Sequence, residues 1–350
     1  MIHKKTAFLL FVLLIFPLVT NGAVLEVDAQ VQPIFDVAVS IPSLAGIIEE
    51  IGGPIVHVSA LLEQQTDPHA FTVTPAIIAA ADAADLLVFT GHFHWEPDIA
   101  NQTATPFISL HDENAWENYE DYGAMLSPLP GGIEFEGTNT NLHAYWLLPR
   151  NAIAIANATR AALSTLNSTL SNLWDTNFES FLQKMDNLQS LIISLNDIHA
   201  FSGMRAIVVS PAEAYVAETF GIRCDAVLQV EDIILTGAKL LEVQEAIRNG
   251  TVGLILGSDV SQFQAGGEYA YQLQADYGGI LIWWQTVFYA ESDYFSMMAF
   301  NLGALVSGIE GRSGGVVNEI VNIGLIALIS VLTIIVVIET ILLIQRARAE

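Results

Sequence analysis

Between Arg150 and Leu195 the chain contains neither proline nor glycine. Apolar residues recur through that stretch at helical spacing, among them Ile153, Ala156, Leu163, Leu170, Trp174, Phe181, Met185, Leu188 and Ile192. Proline suits a first helical position, so Pro149 marks the entry, and the pattern predicts one long rigid helix over 149–197, bent near Asn167-Ser168-Thr169. The segments on either side alternate strand and helix, so this helix has to join two halves.

Upstream, the β-branched run Ile34 to Ser40 reads as a strand and Leu44 to Ile51 as a helix stopped by Gly52-Gly53-Pro54. The pattern then repeats: Ile55 to Ser59 is a strand, Pro75 to Ala84 an alanine-rich helix, and Asp85 to Gly91 an apolar strand of the kind found in parallel sheets. Downstream, Arg205–Ser210, Val252–Gly257 and Gly279–Trp284 read as strands, with helices over Ala212–Phe220 and Gly266–Tyr277. The expected fold is therefore α/β. It has an N-terminal lobe over 24–148 and a C-terminal lobe over 198–310, each with a parallel sheet flanked by helices.

The ends of the chain suggest where it works. A basic start, His3-Lys4-Lys5, precedes a short apolar run and the small residues Asn21-Gly22-Ala23, which reads as a signal peptide over 1–23. At the other end, Ile320 to Ile338 is almost wholly apolar and the run continues to Arg346 and Arg348. That predicts a transmembrane helix over 319–345, a spacer over 311–318 and a cytoplasmic tail over 346–350. The expected location is the cell membrane, single-pass, with the ectodomain extracellular. Four Asn-x-Thr sequons, at Asn101, Asn157, Asn167 and Asn249, are consistent with export and glycosylation. The lone Cys224 cannot form an intrachain disulfide, which leaves stability to the core.

Histidine is scarce, at 8 residues, yet two of these stand in similar settings. Asp67-Pro68-His69-Ala70-Phe71 and Asn141-Leu142-His143-Ala144-Tyr145-Trp146 each put an imidazole beside aromatic residues. They read as two arms of one metal site, because imidazole is the commonest nitrogen ligand for zinc. The 12 Lys+Arg against 38 Asp+Glu, a formal charge of −26, argue against nucleic acid as a partner, since phosphate would be repelled. An enzyme is not expected. No His-Glu-x-x-His occurs, and Asp67 beside His69 is too little to support hydrolysis.

Taken in order, these pieces resemble the extracytoplasmic solute-binding proteins of ABC transporters for zinc and manganese. Asp67 to Pro75 is similar to that family's first metal segment, Ala84 to Gly91 to the strand after it, and Asn141 to Ala152 to the second metal segment leading into the bridging helix. Tyr215 to Ile222 and Tyr294 to Leu302 resemble its second-lobe signatures. The resemblance implies a receptor that holds a divalent transition metal, Zn2+ or alternatively Mn2+, in the interlobe cleft and delivers it to a membrane permease driven by an ATPase.

The chain departs from the family pattern at two ligand positions. Ser210 stands where a third ligand, histidine or glutamate, is usual, and Gln285 where the fourth, an aspartate, is usual. Neither is a good zinc ligand. Glu213, at a helix start three residues after Ser210, and His94, in the loop Gly91-His92-Phe93-His94-Trp95-Glu96, are the candidates to join His69 and His143; His57 and His92 are further possibilities. The acidic stretch between His111 and His143, rich in glycine and proline, reads as a mobile, solvated loop. The rival to metal capture is a surface adhesion or structural module that keeps the fold without transport.

Overall fold

Parallel strands buried on both faces need apolar side chains at consecutive positions, and the central strands of this protein have them. The computed structural model describes residues 33–62, 68–231, 233–287 and 293–312. The first lobe runs β1 (Phe35–Val39), α1 (Pro42–Gly52), β2 (Val56–Ala60), α2 (Pro75–Asp82), β3 (Leu86–Val88), α3 (Glu96–Gln102), β4 (Phe107–Ser109) and β5 (Glu117–Asn118). Its sheet is parallel throughout, in the order β2-β1-β3-β4-β5.

Two helices follow, α4 (Pro149–Leu166) and α5 (Ser171–His199). The second lobe then runs β6 (Arg205–Val208), α6 (Glu213–Thr219), β7 (Arg223–Val227), β8 (Gln229–Val230), β9 (Ile233–Ile234), α7 (Gly237–Arg248), β10 (Leu254–Ser258), α8 (Ala265–Tyr277), β11 (Ile280–Trp284) and α9 (Tyr294–Arg312). Its sheet order is β11-β10-β6-β7, again parallel. Numbered within each lobe, both sheets place the second strand outside the first and the third and fourth on its other side. The second lobe therefore repeats the winding of the first, and in both the carboxyl ends of the strands open towards the place where ligands bind in such sheets. In β10 a glycine is obligatory at 257, because a Cβ there would sit 2.0 Å from the Trp283 ring lying over it.

The expected single helix over 149–197 is a helical hairpin. Asn167 leaves helical geometry at φ −149°, ψ 95°, and its side-chain oxygen accepts the backbone N–H of Thr169. Asparagine, serine and threonine offer the backbone such local alternatives, and here three in a row break the helix. α5 then folds back beside α4, bringing Arg160 to 2.6 Å from Asp175 and over the Phe178 ring. Alone, α5 is 29 residues, about 43 Å long at 1.5 Å per residue, and it is the element that spans the lobes. Trp174, Phe181, Met185, Leu188 and Ile192 make its buried stripe, against α1 and α9.

The lobes are joined by more than this helix, since one contiguous apolar core runs from Val37 in β1 through α4, α5 and Val208 to Trp284 and Leu305. The stretch after β5 adds polar ties. Tyr215 on α6 donates its hydroxyl to the carbonyl of Asn141 and accepts the N–H of Ser127, while Asn141 Nδ2 donates to the carbonyl of Pro211. Within the acidic stretch Tyr119, Leu129 and Pro130 are buried and Pro128 bridges to Thr140, so parts of it are anchored to the fold.

Among the described residues no helix is long and apolar enough to cross a membrane. Nothing in the described structure supports the expected single-pass location. The last described helix, α9, packs Met297, Met298, Leu302 and Leu305 into the core and stays helical through Arg312, into the span expected as a spacer. The stretches expected as a signal peptide, 1–23, and as a transmembrane helix, 319–345, lie outside the described residues. As for the sequons, Asn167 is engaged in its own turn and Asn157 accepts a bond from Arg160.

Replacing Tyr215 with Phe removes a buried hydroxyl that links the lobes and leaves its two partners unpaired. The expected loss is about 1–3 kcal/mol in urea unfolding, with no change of secondary structure by circular dichroism; equal midpoints for the two proteins would show that these bonds do not hold the lobes.

Candidate metal centre

His69 enters the cleft from the loop after β2, held there by Trp95, whose indole N–H donates to the carbonyl of Pro68 at 2.9 Å. His143 comes from the stretch leading into α4. Its N–H donates to Asn141 Oδ1, and the next residue, Ala144, turns the chain with φ 58°. Between them stands His92, in the loop after β3. That loop is built around Glu96, a fully buried carboxylate that accepts the N–H groups of Thr90, Gly91 and Phe93 at 2.7, 2.8 and 3.3 Å. Burial pushes the Glu96 carboxyl up from the ordinary range, against the stabilising effect of these bonds.

The three imidazoles face one another. Ring centroids are 5.1 Å apart for His69 and His92, 4.5 Å for His92 and His143, and 5.4 Å for His69 and His143. One nitrogen from each lies within 4.8 Å of the others, an arrangement that could hold a metal ion. Both ring nitrogens of His92 and both of His143 are buried without a hydrogen-bond partner. Burial and the neighbouring imidazoles hold the pKa of His92 well below its ordinary value, and burial with His69 pushes His143 down to about 3. Both rings are thus neutral at physiological pH, with lone pairs free to bind a cation.

The cavity they line is small, about 60 Å³, walled on the far side by Ser210, Pro211, Ala212, Thr286 and Val287, with Glu231 at its edge. Pockets for small organic ligands run to about 300–1,000 Å³, so this one suits an ion and a few waters. The paired tryptophans of β11 do not line it: Trp284 is in the core and Trp283 packs on Tyr271.

The remaining candidates are not brought to this point. His94 is exposed and lines a separate groove with Phe71, Pro75 and Asp98. Of the His92/His94 pair, the i, i+2 spacing turns one ring inwards and the other out. His57 is exposed on the sheet, 2.9 Å from Asp36. Glu213 is fully buried behind the Ser210 loop, accepting the Ser210 N–H at 2.7 Å and the Ser261 hydroxyl at 2.6 Å. It shapes the wall of the cleft without lining it. Gln285 exchanges backbone bonds with Asn301, and Thr286 beside it is clamped by Asp259. Glu231 was not singled out in the sequence; the acidic pair in Gln229-Val230-Glu231-Asp232 carries no recognisable ligand signal.

The profile of the periplasmic zinc-uptake complex component A family, ZnuA, matches residues 37–308. The chain belongs to this family. Its members are non-enzymatic metal carriers that work with an ABC permease and its ATPase, and membership supports divalent-metal binding for transport. No curated protein matches the sequence. Among solved structures, a ZnuA crystal structure is 19% identical with a TM-score of 0.63, covering 78% of this chain and 98% of that one. FpvC from Pseudomonas aeruginosa, solved with Mn2+, is 17% identical at a TM-score of 0.63, covering 79% and 99%. Zinc-bound AdcA from Streptococcus pneumoniae is 19% identical at 0.58, covering 79% of this chain and 57% of that one. At these identities the likeness is one of fold.

Glu213 leads to a pH prediction. Burial raises its carboxyl from the ordinary 4.5 to about 7. The folded state therefore holds that proton more tightly than the unfolded one, a stabilisation complete below the ordinary carboxylate pKa and lost as pH rises through about 7. In metal-free protein, wild type is expected to lose up to about 3 kcal/mol relative to Glu213→Gln between about pH 4.5 and 8, read by urea unfolding. Parallel pH profiles would show that this carboxyl is not perturbed.

Proposed function

We propose that this chain captures a divalent transition-metal cation, zinc foremost, on His69, His92 and His143 in the cleft, and delivers it to an ABC permease. The observation that carries this reading is the set of unpartnered nitrogens on two buried imidazoles. A buried polar group with no partner costs on the order of 1–3 kcal/mol, and the lone-pair nitrogen that each of these neutral rings can offer calls for an occupant. A proton does not serve, because burial and mutual repulsion keep these rings neutral. A cation that takes lone pairs does.

The donor set favours a borderline ion. Three imidazoles suit zinc, whereas manganese prefers carboxylate, carbonyl and water oxygens. Zinc–nitrogen bonds of about 2.0–2.1 Å in a tetrahedral shell put neighbouring donors about 3.3 Å apart. The nitrogens, within 4.8 Å of one another, need to close by little more than side-chain rotation. Small rearrangement is also what the shared core between the lobes permits.

The test is a zinc and a manganese titration of chelator-treated protein, followed by calorimetry and metal analysis. One zinc per chain is expected, bound more tightly than manganese. His92→Ala should weaken zinc binding about 100-fold or more, whereas His94→Ala should leave it within about twofold. A wild-type protein that takes up neither ion would leave the rival reading, a scaffold of the same fold without transport.

A further inference from the structure

All three imidazoles come from the first lobe and its connecting stretch, which leaves a cation at this point open on its second-lobe side. Among the described second-lobe residues that line the cavity, Glu231 alone is ionisable; the others offer hydroxyl, amide or apolar groups. Its Oε1 stands 3.7 Å from His69 Nδ1 and 4.0 Å from His143 Nε2. One oxygen is therefore nearly equidistant from rings on two different loops, too far from either for a hydrogen bond.

The backbone that carries Glu231 is built for the purpose. β8 and β9 pair antiparallel, Val230 opposite Ile233, so Glu231 opens the turn of a hairpin that leaves the sheet near the cleft. Its φ is +48°, a conformation that non-glycine residues adopt at a cost of order 1 kcal/mol and that clusters at functional sites. Gln229 fixes the turn from beneath, donating through Nε2 to the carbonyl of Glu231 while its Oε1 accepts the N–H of Gly266 at the start of α8. These bonds hold the backbone of Glu231 where its carboxylate lines the cavity.

Resting on the metal-capture reading, we propose that Glu231 is the fourth ligand of the cation and the residue that makes the site an interlobe one. The relevant ligand class is a four-coordinate borderline divalent ion, with three neutral nitrogens and one anionic oxygen. The carboxylate comes from the hairpin and not from the ends of β6 or β11, where Ser210 and Thr286 stand. It lowers the charge of the occupied site by one unit and excludes the water that would otherwise complete the shell.

Cobalt(II) serves as the spectroscopic probe, since its visible absorption reports coordination number and donor set, and zinc affinity is read by competition with a chelator. Glu231→Gln is expected to weaken zinc binding about tenfold or more and to change the cobalt spectrum as water replaces the carboxylate, with circular dichroism unchanged. Glu231→Asp, whose shorter side chain cannot reach, should behave similarly, and it supplies the reading if the Gln variant does not fold. Wild-type zinc affinity and an unaltered cobalt spectrum in the variants, with wild type itself binding, would overturn the role of Glu231 and leave capture intact. Absence of binding by wild type would overturn both.

Discussion

Everything in the cleft follows from imidazole nitrogens held away from water without a protein partner. Desolvation removes the protonated state from His92 and His143, and with it the ordinary way a histidine satisfies both nitrogens. The surroundings do not relieve the cost. Phe93 stacks on Trp95 at 5.6 Å, the rings of Phe93 and the histidines wall one another in, and Trp146 closes the floor. A fold keeps such a destabilising arrangement only where neighbouring structure over-determines it. Here that structure is the buried carboxylate of Glu96 beneath one loop and the Trp95 bond to Pro68 beneath another.

Two acidic side chains of the second lobe, Glu213 and Asp259, are committed to shaping its loops. Glu213 gathers Ser210 and Ser261, and Asp259 takes the N–H and hydroxyl of Thr286. Each sits near the carboxyl end of a strand, where a ligand would be placed, and each is turned to the protein instead. This leaves that wall neutral and nearly apolar. Only a group projecting past the sheet can reach the imidazoles, and the β8–β9 hairpin provides one. The strong overall negative charge, −26, does not itself make the site, since the carboxylates near the cavity are either enclosed or few.

Much of this architecture was legible in the sequence, because parallel strands announce themselves as apolar runs. β1, β2, β3, β6, β10 and β11 match the runs read as strands to within a residue at the carboxyl end or fall inside them, and α1, α2, α6 and α8 lie within a few residues of the helices between them. The short strands β4, β5, β8 and β9 were not legible, being two or three residues long with no period to detect. The helix break at Asn167 was visible as a bend and not as a reversal, since a capping asparagine does not reveal the direction in which the chain leaves. At the site, His69 and His143 stood out by their aromatic settings. The choice between His92 and His94 depended on the Glu96-centred turn, and Glu231 on a hairpin; both are tertiary facts with no local spacing rule.

The shared core limits how a cation can enter and leave. Wide separation of the lobes would tear apolar contacts running from α1 through α5 to α9, and would break the bonds of Tyr215 to Asn141 and Ser127 and of Tyr294 to the carbonyl of Leu147. At roughly 25 cal/mol per Å² of apolar surface, exposing even a few hundred Å² costs several kcal/mol. Moving one carboxylate costs far less. His69, His92 and His143 sit on the part tied to the shared core, and Glu231 on the smallest projecting element of the described cleft. Retention and release therefore depend on the hairpin more than on any hinge between the halves.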